Sequence, residues 1–192
     1  MLLAASGIVA LGAVIAAIAL AKGGGGSGSA SVAAAMRAAG CTLKTAPAKS
    51  RKHVSSLKAK IKYNTDPPST GSHYYSPAVW DFYTTPAAPV QVVHNEEHGG
   101  VIIWWGNKVP QSTIEKLRAF YNSSPNGMLG TPYASLGNKI ALTVWTAPAG
   151  GLGEGHVATC STYNEKAFTA FRDAYRGKGP ERYPTDTETP GS

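Results

Sequence analysis

Two stretches, VIIWW at 101–105 and KIALTVW at 139–145, are continuous runs of apolar, β-branched and aromatic residues. That character belongs to buried strands, and it predicts two strands at the centre of a sheet. Between them, Ser112, Thr113, Ile114 and Glu115 have the spacing of a capping box, which opens an amphipathic helix with Ile114, Leu117, Phe120 and Tyr121 on one side. A second box, Thr162 to Glu165, opens another helix carrying Phe168, Phe171 and Tyr175 and ending at Gly177. LKAKIKY at 57–63 alternates at period two, which predicts an edge strand with Lys58, Lys60 and Lys62 in water. Strands and helices mixed in this way predict an α+β fold, or a small α/β one: a small central sheet with two or three packed helices.

The first 21 residues, MLLAASGIVALGAVIAAIALA, carry no charge. At about 1.5 Å per residue they match the thickness of a bilayer core, so they are read as a single membrane-spanning helix, with a cleaved signal sequence as the rival. Residues 22–40 are expected to be a Gly/Ser-rich linker with a short helix at 31–39, residues 41–184 a globular domain, and residues 185–192 (TDTETPGS) a disordered tail. Cys41 and Cys160 stand near the two ends of that domain. In an oxidising compartment they would form a disulfide worth roughly 4 to 5 kcal/mol. No C-x-x-C is present to suggest a zinc ribbon or a thioredoxin-type site.

The charge is lopsided. Net charge is +7, and residues 44–62 hold seven cations with no carboxylate. Protection of a sheet edge explains them; attraction to anionic headgroups or to an acidic protein partner is the sharper alternative. Nucleic acid is not an expected partner of an exported domain.

The chemistry concentrates in HNEEH at 94–98. In a helical turn His94 and His98 share a face with Glu97 close by; in an extended chain they share a face with Glu96 between them. The spacing also matches the H-x-x-E-H pattern of inverted zinc peptidases, but those enzymes need a distant third ligand and a far larger chain. No G-x-S-x-G, P-loop or dinucleotide fingerprint occurs. No catalytic residue is assigned, and an enzyme is the less favoured reading.

Three ordered stretches, YNTDPPSTGSHY (63–74), VHNEEHG (93–99) and FRDAYRGKGPE (171–181), resemble the bacterial domain of unknown function 3105 family, as does the dipeptide His53-Val54. The resemblance implies a membrane anchor with an exported domain, and it brings no established activity. Its H-N-L-E-H-G motif has Leu where this chain has Glu96. That departure gives Glu97 the more serious role and favours the helical turn.

A metal site needs further donors. His73, in the turn-rich segment before Tyr74, is the candidate third ligand, and Met128 the candidate fourth, with His53 as a possible addition and Glu97 supporting an imidazole. Imidazoles with a thioether suit copper, with zinc as the alternative. The expectation is a plasma-membrane protein with one span and an extracytoplasmic domain that binds copper for storage, delivery or electron transfer. Its rivals are a metal-free structural or interaction subunit of a membrane complex and a zinc-dependent hydrolase.

Overall fold

The computed structural model describes residues 26–148 and 151–192. The expected anchor at 1–21 and the first residues of the expected linker lie outside them. Among the described residues no helix is long and apolar enough to cross a membrane.

The fold is α+β. Its elements are α1 (Gly26–Ala38), β1 (Thr42–Pro47), β2 (His53–Val54), β3 (His73–Tyr74), α2 (Pro89–Glu97), β4 (Val101–Trp105), α3 (Gln111–Ser123), β5 (Met128–Pro132), β6 (Ile140–Thr146), β7 (Glu154–Cys160) and α4 (Glu165–Tyr175). Five strands form one mixed sheet in the order β1-β7-β6-β4-β5. The β4–β5 pair is parallel, with α3 as its crossover, and the other neighbours are antiparallel. The apolar runs are its central strands β4 and β6, as their composition predicts.

Continuous apolarity is what burial on both faces requires. Val101, Ile103 and Trp105 point into a core with Val32 and Met36 of α1, Leu117 and Phe120 of α3, and Phe168 and Phe171 of α4. Ile102 and Trp104 point the other way, against Val92 of α2. Three helices thus cover one face and α2 covers the other.

Several expectations are corrected. The helix expected at 31–39 begins at Gly26, inside the presumed coil, because Val32 and Met36 at i and i+4 gain a core to bury into. The tail is ordered: Trp80 N–H donates to the Ser192 carbonyl, Gly191 N–H donates back to Trp80, and Glu188 is buried. The folded unit therefore extends beyond 41–184 at both ends. Residues 57–63 form no strand. Their alternation buries no face, since Leu57 is exposed and Ile61 and Tyr63 are half-buried. Both predicted helices form, but α3 has Pro110 at its N-cap without a side-chain cap, whereas Asn164 caps α4 by accepting from Ala167 N–H.

Cys41 and Cys160 are joined as a disulfide, with Cα atoms 4.3 Å apart. The antiparallel register that sets Thr42 opposite Thr159 brings them together at the end of the β1–β7 ladder.

Candidate metal centre

The site lies where α2 meets the two-stranded ribbon of β2 and β3. Parallel pairing puts His53 directly opposite His73. Along α2, His94, Glu97 and His98 follow at i, i+3 and i+4 and share a side, as the helical reading of HNEEH requires. Pro89 starts this helix, where its fixed φ suits the first turn. Gly99 ends it at φ 92°: Gly99 N–H bonds Glu96 O and Gly100 N–H bonds Asn95 O, the pairing of a Schellman cap. Buried Asn95 holds the outer loop by accepting from Ala78 N–H and donating to Ala78 O.

Four side chains converge. One ligand atom from each of His53, His73, His94 and Glu97 lies within 4.8 Å of every other. His73 Nε2 is 2.8 Å from Glu97 Oε2, and His53 Nε2 is 3.6 Å from the same oxygen. Two donors at about 2.1 Å on one tetrahedral ion stand about 3.4 Å apart, so these separations bracket those of a coordination shell. The imidazole orientations are set from behind. His73 Nδ1–H donates to Gly71 O at 2.8 Å and His94 Nδ1–H to Tyr74 O at 2.7 Å. Each ring therefore turns its Nε2 inward, which is how backbone carbonyls prepare histidine for a metal.

The inner atoms are left without ordinary partners. His73 Nε2 and Glu97 Oε2 are buried and close, yet no well-directed hydrogen bond joins them. With Nδ1–H already committed, Nε2 and Oε2 face each other at 2.8 Å, where a shared proton or a cation would satisfy both. The donor set therefore fits a metal ion.

Glu97 is divided between two tasks. Its Oε1 accepts from Arg51 Nε at 2.7 Å, leaving Oε2 for the histidines. Burial alone would raise its carboxyl, but the His73 contact and Arg51 outweigh that and hold it at about 2. Burial lowers His94 to about 4, with His73 and His98 pushing the same way against the Tyr74 carbonyl, so its ring is neutral at pH 7. The adjacent Glu96 is fully buried against the sheet, and burial pushes its carboxyl well up despite the opposing Thr143 hydroxyl. Adjacent acids thus meet opposite fates. Trp145 supports His73 from below, ring centroids 6.1 Å apart.

Of the residues expected at the site, His73 and His94 sit at its centre, His53 is a full participant, and Glu97 offers an oxygen directly. Met128 is corrected. It is fully buried in the core beneath α3 and α4, on the sheet face opposite α2, because its register partner Val101 points there. His98 belongs to a neighbouring group: one ligand atom from each of His94, His98 and Glu181 lies within 4.8 Å of the others. His156 lies elsewhere, stacked on Tyr175 and bonded to the hydroxyls of Thr45 and Thr146.

Arg51, Glu181 and Glu188 were not foreseen. Arg51 is hidden in a basic run and Glu188 in a polar tail, whereas Glu181 ends the third stretch that carries the family resemblance, and that was its available signal. Backbone contact places Glu181: Gly177 N–H bonds Gly99 O and Glu181 N–H bonds Glu97 O. A Cβ on Gly179 would strike the Glu97 carbonyl and the Gly99 backbone, so glycine permits this docking.

The family described as "Protein of unknown function (DUF3105)" matches residues 53–188. The chain belongs to that family. No curated protein and no solved structure matches it. The matched segment of this DUF3105 protein begins at His53 and takes in Glu188, so it spans His53, His73, His94 and Glu97 as well as the His98, Glu181 and Glu188 group.

Proposed function

We propose that this DUF3105 domain binds one divalent transition metal ion, zinc by preference, through His53, His73, His94 and Glu97. The observation that carries the proposal is the convergence of those four side chains, with two imidazoles pre-turned by backbone carbonyls onto buried atoms that lack a partner. Copper drew its support from a thioether, and Met128 is on the far face. Three imidazoles and one carboxylate form the borderline set that zinc accepts. Four protein donors suit holding or handing over an ion. In this reading the hydrophobic N-terminal segment tethers the domain to the plasma membrane and the domain works outside the cytoplasm, consistent with its disulfide.

The test is metal analysis of the full chain purified without a polyhistidine tag, after zinc and copper supplementation in separate cultures. One zinc per chain is expected, falling to background in His73→Ala. Copper bound stoichiometrically with zinc excluded would replace the proposed metal. Background metal under both conditions would leave the cluster as a salt-bridged structural network.

A further inference from the structure

We infer that His98 and Glu181, sharing His94 with the inner donors, form an outer station through which the ion reaches and leaves them. The inference rests on the metal-binding reading above. Its geometry adds two side chains, His98 and Glu181, to the shared His94. His98 Nε2 lies 3.7 Å from Glu181 Oε2, and the His94 and His98 rings stand edge to face with centroids 4.8 Å apart. His98 turns its other nitrogen, Nδ1, to Glu188 Oε1 at 3.3 Å. Glu188 is buried and neither of its oxygens has a hydrogen bond of ordinary geometry, so this approach to His98 is the role its position offers. A carboxylate behind an imidazole fixes which nitrogen faces a metal.

Arg51 ties the two stations together. It takes Oε1 of Glu97 at 2.7 Å and Oε1 of Glu181 at 3.1 Å. Each carboxylate is left with Oε2, one facing His73 and His53, the other facing His98. On this side exposure rises from the buried pair outward: the side chains of His73 and Glu97 are 0% and 1% exposed, His98 12% and Glu181 37%, while His53, at 46%, caps the inner set from the ribbon side. His94 is common to both groups. Its Nδ1 is committed to Tyr74 O, so it has a single nitrogen to give and binds one ion at a time. The stations therefore alternate, and the chain holds one ion, not two. A hydrated divalent ion would first meet Glu181 and His98, exchange water for His94, and then transfer to the set that holds the buried His73 and Glu97.

The test uses the full chain in detergent, loaded with one equivalent of zinc. Zinc extraction by excess chelator and uptake by the stripped protein are followed by stopped flow for the parent and for His98→Gln, Glu181→Gln and Glu188→Gln. Equilibrium zinc content should stay at one per chain in all of them, which also reports that each is folded. Uptake and extraction should slow about tenfold or more in His98→Gln and Glu181→Gln, with an intermediate effect in Glu188→Gln, the scale at which supporting groups act on metal sites. Parent-like rates in the first two would overturn the outer station while leaving the inner site standing. Loss of zinc at equilibrium in Glu181→Gln, with an unchanged near-ultraviolet spectrum, would overturn it too, since Glu181 would then be a resting ligand. A parent that holds no zinc would refute the metal-binding reading itself.

Discussion

Replacing Glu97 by glutamine keeps the shape of the side chain and removes its charge, and the loss has two separate readouts. In the metal-free protein the carboxyl titrates at about 2, against 4.5 ordinarily. Its folded value is the lower one, so as pH falls the unfolded chain takes up the proton first. The stabilisation is therefore complete above about pH 4.5 and is lost as pH falls towards 2. A difference of about 2.5 pH units is at most about 3.4 kcal/mol. Arg51 is 30% exposed and solvent screens the pair, so about 1 to 3 kcal/mol is expected. Urea unfolding of the chelator-treated protein, followed by the fluorescence of its four tryptophans, should find Glu97→Gln less stable by that amount at pH 7. Between pH 4.5 and 2 the variant should lose less stability than the parent. Acid loss between pH 6.5 and 4 should be common to both, since His94 is depressed to about 4 and its stabilisation fades through that window. The second readout is zinc affinity by calorimetry. Loss of a direct ligand should weaken it by more than the 10- to 100-fold that removal of a supporting group causes. A dissociation constant within tenfold of the parent would refute direct ligation by Glu97, and parallel acid curves would refute its pairing with His73 and Arg51.

Met128→Leu should leave zinc content and affinity unchanged and shift stability by less than about 1.5 kcal/mol, because the swap conserves volume in an apolar core; loss of metal on equilibrium dialysis would restore the thioether as a donor. The double variant Cys41→Ser, Cys160→Ser should lose about 5 kcal/mol, the loop entropy of a bridge across 119 residues, measured by urea unfolding of parent and variant without reductant. Two titratable thiols per unreduced parent chain would show that the bridge is not formed.

Period and composition make the layers legible in the sequence. Five consecutive apolar residues require burial on both faces, and the 3.6-residue stripe of Phe168, Phe171 and Tyr175 requires a helix lying on that sheet. The helical turn of HNEEH was legible too, because Glu96 replaces an apolar residue and indeed faces the core. Pairing was not. A strand of two residues has no period, so nothing local says that His53 lies opposite His73. Nor does composition reveal docking: TDTETPGS has no large apolar side chain, yet its last two residues bond Trp80 and its one glutamate is buried beside His98. The alternation at 57–63 is the reverse error, a local pattern to which no neighbouring strand responds.

Charge balance separates Cu(I) from the divalent candidates, Zn(II) and Cu(II), without reference to any single distance. Glu97, Glu181 and Glu188 bring three formal negative charges to the joined stations, and Arg51 returns one positive charge. Glu96 is left out of the count, since burial pushes its carboxyl well up and favours the neutral acid. Ligation requires neutral imidazoles, so the donor group that an ion would bind carries minus two. A divalent ion brings it to zero, whereas Cu(I) would leave one negative charge uncompensated beside the buried carboxylates of Glu97 and Glu188. The histidines alone do not choose between these ions. The carboxylates gathered behind them favour the doubly charged one, and Arg51 offsets the third of those charges from the solvent side.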